Sequence, residues 1–264
     1  MLEPGMTAAL TAFLDRLLAA RLASAASARW LRIVAGSDAA EAMALAGRCA
    51  GHGMVAPTVD EHRAAVALVP GWRLATWTMA DAARACLLLG RPDATLPALL
   101  ADVARGAELG ELVSLARSLA VLPDGGRFIG LGRVWLRSSA DTVFRAVTWH
   151  NPWPAACLDE DGWNQLVLKA LFTGSDLWRI QGLEARANPR LTAMLVDYAR
   201  ERRVAGRAVP PELWRPVAAC ADATARAALN QAVASADAAE AAGAASALGL
   251  PGAPPLRREE EVDP

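Results

Sequence analysis

The chain has 264 residues, 54% of them hydrophobic, with a formal charge of -1 and a pI near 6.3. It is long enough to bury a sizeable core, and it lacks the basic field that draws proteins to nucleic acid or anionic lipid. Four cysteines, Cys49, Cys86, Cys157 and Cys220, stand far apart with no CxxC pair, so no zinc or disulfide framework is expected and a reducing compartment fits best.

The Pro4-Gly5 breaker precedes a first predicted helix, on which Leu10, Phe13, Leu14, Leu17 and Leu18 form a wide apolar stripe fringed by Asp15, Arg16 and Arg21. Charges at Glu3, Asp15 and Arg16 argue against the uncharged core of a signal peptide. No run reaches the roughly 18 uncharged apolar residues of a membrane span, so a cytoplasmic chain without direct membrane insertion is expected. Thr58 with Glu61, and Thr78 with Asp81, have the form of capping boxes and predict two helix starts. Asp93 and Asp141 are further N-cap candidates, while Pro123-Asp124-Gly125-Gly126 and Asn151-Pro152-Trp153-Pro154 read as turns.

Helical periodicity runs nearly throughout, and no alternating apolar-polar run stands beside a hairpin turn. The expected fold is all-α, with antiparallel helical hairpins stacked as an α-solenoid or bent bundle, although no sequence period of the usual repeat families is present. Residues 1–217 are expected to form a single helical domain, most constrained over 144–203. Residues 218–249 read as an Ala-rich final helix supplying little core, and 250–264 as a disordered tail.

Within the constrained stretch one residue stands out. Twenty-six arginines accompany a single lysine, Lys169. A GC-rich coding bias turns Lys into Arg wherever a generic cation serves, so Lys169 marks a place where guanidinium does not replace a compact ammonium. The only tyrosine, Tyr198, and most of the rarer amides lie nearby in sequence. Asp161, Gln165 and Lys169 fall at i, i+4 and i+8 on one helical stripe, between apolar neighbours that leave Lys169 half buried, and Gly174 supplies a stop. Three roles stay open for Lys169: a stem packed on apolar neighbours with its head in solvent or on Asp161, an ammonium pairing an anionic ligand, or an amine of depressed pKa.

Asn188-Pro189 opens the next predicted helix, whose inward face carries Leu191, Met194, Leu195, Tyr198, Ala199 and Arg202, and Gly206 closes it. Gln181 beside Gly182 can approach a ligand closely or form a tight corner, and His150-Asn151 precede a forced turn at Pro152. The candidate ligand-binding set is therefore Lys169, Gln165, Asn164, Gln181, Tyr198, His150, Asn151, Asp197 and Arg186. No phosphate loop, HExxH, GxSxG or EF-hand pattern occurs, and Asp159-Glu160-Asp161 suits a helix N-terminus better than a metal site. No cofactor, metal or catalytic residue is expected.

The same stretch resembles the EboA family, the soluble helical member of a bacterial gene set called ebo. The resemblance is carried by His150-Asn151-Pro152-Trp153-Pro154, the run from Trp163 through Lys169 to Phe172, Ile180-Gln181-Gly182-Leu183, Arg186-Ala187-Asn188-Pro189 and Asp197-Tyr198-Ala199-Arg200-Glu201-Arg202. Asp81-Ala82-Ala83-Arg84, Glu111-Leu112 and Leu122-Pro123 add weaker support, so that it spans roughly residues 70 to 217. The family's tyrosine helix usually has His where this chain has Arg200, which counts against a histidine role there. The resemblance implies a cytoplasmic accessory protein that handles a secondary-metabolite precursor on its way to the periplasm. Its implied partners are other ebo proteins, including a prenyltransferase-like membrane protein. The expected function is thus non-catalytic, by binding a metabolite or scaffolding partners. The alternative is an enzyme acting on that metabolite through Lys169 as base or Schiff-base nucleophile.

Overall fold

The computed structural model of the protein describes residues 4–23, 29–30, 32–33, 36 and 38–255. Among the described residues the fold is all-α, with fourteen α-helices, an isolated antiparallel bridge between Met54 and Thr78 and no strand. The chain divides into two compact units between Cys157 and Leu158.

The first unit contains α1 (Pro4–Arg21), α2 (Ala39–Ala50), α3 (Val59–Leu68), α4 (Met79–Leu89), α5 (Leu96–Gly106), α6 (Leu109–Ser118), α7 (Ile129–Leu136), α8 (Asp141–Thr148) and α9 (Trp153–Cys157). Its axis is α4, in which every residue from Met79 to Leu89 is buried. Helices α1, α2 and α6 pack around it, and α6 in turn packs on α8. Alanines at 80, 82, 83 and 85 keep α4 thin enough for this close surrounding. The five residues of the α1 stripe are all buried. Both predicted capping boxes are present: Thr58 and Glu61 start α3, and Thr78 and Asp81 start α4.

Several boundaries differ from expectation. Helix α1 begins at Pro4 itself, because a first-turn proline lacks only an N–H that has no intrahelical acceptor. Asp93 opens a 3-10 turn without capping it, and its carboxylate accepts from Arg127 at 2.8 Å. Asp141 lies one residue inside α8, where it pairs with Arg145 at 2.5 Å, and Ala140 holds the cap position. Asn151-Pro152 is the lead-in to α9, which starts at Trp153.

The second unit contains α10 (Glu160–Thr173), α11 (Pro189–Val204), α12 (Trp214–Ala219), α13 (Ala223–Val233) and α14 (Ala238–Ala247). Helix α11 packs on α10, α12 and α13, while α14 packs on α12, α13 and the Pro211–Leu213 turn. Asn188 caps α11 with its side chain accepting from Leu191 N–H at 2.8 Å, and Gly174 ends α10 in the left-handed region at φ 67°. The Ala-rich stretch is two helices where one was expected. Asp237 breaks it by accepting from the N–H groups of Ala239 and Glu240. Of the expected tail, residues 256–264 lie outside the described residues.

Candidate functional site

Helix α10 turns its successive faces to quite different surroundings. Trp163, Asn164, Leu166, Val167, Ala170 and Leu171 are buried, Lys169 is half-buried, and Gln165 and Phe172 are exposed. The apolar crowding predicted around Lys169 is thus one-sided.

Part of the candidate set is engaged in holding the backbone. Asn164 is 2% exposed and exchanges two hydrogen bonds with Asn188: its Nδ2 donates to Asn188 Oδ1 at 3.3 Å, and its Oδ1 accepts from Asn188 Nδ2 at 2.8 Å. Arg186 donates to the Leu158 carbonyl at 2.8 Å and lies 5.2 Å from the centre of the Trp163 ring. Asp197 pairs with Arg200 on the exposed face of α11, and Asp161 pairs with Arg190. Gln181 is half-buried before Gly182, whose φ of 76° makes the corner that glycine permits.

His150 and Asn151 belong to the first unit. His150 is buried with φ 53°, and Asn151 donates to the Ala146 carbonyl at 3.2 Å while accepting from Trp153 N–H at 3.0 Å. Asn151 thereby satisfies the end of α8 and the start of α9 together.

The open chemistry of the second unit lies along the α10–α11 edge. Phe172 is 69% exposed, and its ring meets the buried Tyr198 ring edge-on, with centroids 5.2 Å apart and planes at 81°. The Tyr198 hydroxyl donates to the Leu171 carbonyl at 3.4 Å, which fixes the ring as a wall of that edge. Arg202, one turn along α11, reaches within 6.0 Å of the Tyr198 centroid while donating to the Ala208 carbonyl at 2.9 Å. Lys169 precedes Phe172 by three residues, so the two are neighbours on the surface of α10. An apolar ring pair flanked by two cations suits an apolar ligand with an anionic group. Neither Phe172 nor Arg202 was among the residues expected at a site. Phe172 in particular read as one more core residue of an apolar run.

Sequence reasoning also missed a buried charge cluster in the first unit. Asp81 and Arg84 sit on the enclosed helix α4. Arg84 donates from Nε to the Met43 carbonyl at 3.0 Å and from Nη1 to Ser114 Oγ at 2.9 Å, and Ser114 donates to Asp81 at 2.7 Å. Arg117 closes the cluster by pairing with Asp81. Gly47 on α2 leaves room for the Arg84 guanidinium, which an added Cβ would overlap. Burial pushes the Asp81 carboxyl up, but the Arg117 charge, the Ser114 hydroxyl and the Thr78 cap together outweigh it and hold the group below its ordinary value. Arg84 also lies 3.8 Å from Glu111 on α6, and these contacts together clamp α2, α4 and α6. Its traces in the sequence were the Thr78–Asp81 capping box and the Asp81-Ala82-Ala83-Arg84 motif.

Among the described residues, no group of three or more His, Cys, Asp or Glu side chains is placed to hold a metal ion, and no helix is long and apolar enough to cross a membrane. A protein-family model described as "Metabolite traffic protein EboA" matches residues 29–218, well over half of the chain. No curated protein and no solved structure matches.

Proposed function

The chain belongs to the EboA family of metabolite traffic proteins, and on that footing we propose that it is a non-catalytic, cytoplasmic accessory protein that binds a secondary-metabolite precursor at the α10–α11 edge and passes it to other ebo proteins. The prenyltransferase-like membrane protein of that set is the recipient we favour.

The observation that carries the reading is Phe172, a large ring left in solvent against Tyr198 with Lys169 one helical turn away. Covering such a ring is worth about 1.5–3 kcal/mol by the usual value for a Phe side chain. That gain is available to a bound molecule whose apolar part covers Phe172 and whose anionic part meets Lys169. The edge offers no neighbouring acid and base that would point to turnover, since Asp197 is paired with Arg200 and the Tyr198 hydroxyl with a carbonyl.

Native mass spectrometry of the protein purified from its own host tests this. A small molecule retained by the natural protein and lost from both Lys169→Met and Phe172→Ala supports the reading. A protein that carries no small molecule while retaining its protein partners overturns the binding role and leaves a scaffold.

A further inference from the structure

The family match ends at residue 218, yet α13 and α14 beyond it bury a charge. Glu240 on α14 is 2% exposed, and its Oε1 accepts from Arg203 Nη2 at 2.5 Å and Nε at 3.1 Å. Ser235 donates to its other oxygen at 2.7 Å, and Gln231 accepts from Arg203 Nη1 at 3.3 Å. Two side chains of one helical hairpin, Glu240 and Gln231, thus meet one arginine of α11, and Ser235 braces Glu240 from its other side. The Arg203 guanidinium lies 5.4 Å from the centre of the Trp214 ring, which is fully buried. The Trp214 indole N–H is itself a buried donor without an acceptor. A fork of N–H groups over an aromatic wall, with a spare donor in that wall, is the composition of a site for a carboxylate on an apolar body.

The hairpin that supplies Glu240 is weakly anchored by apolar contact. Leu229 is its one large buried apolar side chain among the described residues, beside Ala225, Ala232 and Ala244. Its fit depends on close approach: a Cβ on Gly243 would lie 2.5 to 2.7 Å from Pro211 Cβ, O and Cα. Charge and backbone proximity therefore hold the hairpin where a hydrophobic face ordinarily does.

We propose that Arg203 and Trp214 form a second ligand site, for an organic carboxylate with an apolar body, and that the α13–α14 hairpin holds it shut in cis by placing the Glu240 carboxylate where the ligand's carboxylate binds. The site shares no residue with the α10–α11 edge, so the two readings stand or fall separately.

The test uses the full chain with 4-phenylbutyrate as probe, following calorimetric affinity together with hydrogen exchange over residues 223–247. Gly243→Leu wedges the hairpin from Pro211, and Glu240→Gln removes the competing charge without adding bulk. Either variant is expected to bind the probe at least tenfold more tightly than the natural protein, with faster exchange across the hairpin, and a further Arg203→Met is expected to abolish the gain. If Gly243→Leu fails to fold, Glu240→Gln alone decides. Faster exchange without gain in affinity, a gain that survives Arg203→Met, unchanged exchange in both variants, or unfolding of Glu240→Gln each overturns the proposal and makes the Glu240–Arg203 pair a plain structural clasp.

Discussion

The side-chain amides of Asn164 and Asn188 hydrogen-bond to each other in both directions, at 3.3 and 2.8 Å, while Asn188 also caps α11. Two helices are thereby registered by one pair of residues, of which Asn164 is buried and Asn188 half-buried. Asn164→Ala is expected to lower stability by about 1–3 kcal/mol, the cost of leaving a buried amide short of partners. Asn188→Asp retains the cap acceptor but not the donor to Asn164, and should lose less. Thermal denaturation followed by circular dichroism orders the three proteins, and the α10–α11 edge should keep its ligand in all of them.

Lys169→Met separates charge from packing. The thioether replaces the apolar stem at a half-buried position, so the unfolding free energy should stay within about 0.5 kcal/mol of the natural protein's, as for surface changes away from a special feature. Retention of the co-purified small molecule should disappear. A large fall in melting temperature would make the lysine structural.

Gly132 and Trp153 make a second sharp test. An added Cβ on Gly132 would overlap the six-membered part of the Trp153 indole, whose N–H donates to the Gly125 carbonyl at 2.9 Å. Gly132→Ala is expected to cost about 1–3 kcal/mol as overpacking. Adding Trp153→Phe, which withdraws the offending ring, should restore part of that loss, and a double-mutant cycle by urea denaturation measures the coupling.

Acid should weaken the first unit at a defined place. Arg21 pairs with Glu61 at 2.6 Å, and that hydrogen bond, against the smaller opposing effect of burial and with help from the Thr58 N–H, holds the Glu61 carboxyl down to about 2. The folded value lies below the ordinary 4.5, so the pair's contribution is full above that value and is lost as the pH falls through the folded one. Asp81 acts in the same sense. Glu212 acts oppositely: burial, reinforced by Asp176, raises its carboxyl, so acid relieves a penalty there. Denaturant midpoints between about pH 5 and 2 should fall less steeply in Arg21→Met than in the natural protein.

Local chemistry was the legible part of this fold. The capping boxes at Thr58 and Thr78, the Asn188-Pro189 start and the Gly174 stop each depend on residues within one turn, and all are present. Asp93 was misplaced because its carboxylate is taken by Arg127, 34 residues away, which no local pattern records. For the same reason the partners of Asp81 and Arg84, Ser114 and Arg117, were invisible from the motif that contains the pair. The helix break at Asp237 had a local signal, a capping residue inside an alanine run, that was read as continuous helix. At the candidate site, the position of Lys169 followed from spacing alone, but the exposure of Phe172 did not: whether an apolar ring on a crowded helix is covered depends on what α11 leaves open.

Helix α4 has no wet side. A helix of that kind gains nothing by forming early on its own, since eleven residues without a polar face make an unstable isolated helix. Nor can it fray while its neighbours persist, because α1, α2 and α6 would then face an empty channel, and Ser114 and Arg117 on α6 would lose Asp81 and Arg84 as partners. The four helices are therefore one cooperative unit, and backbone amides from Met79 to Leu89 should exchange with solvent only through an opening that melts all four together.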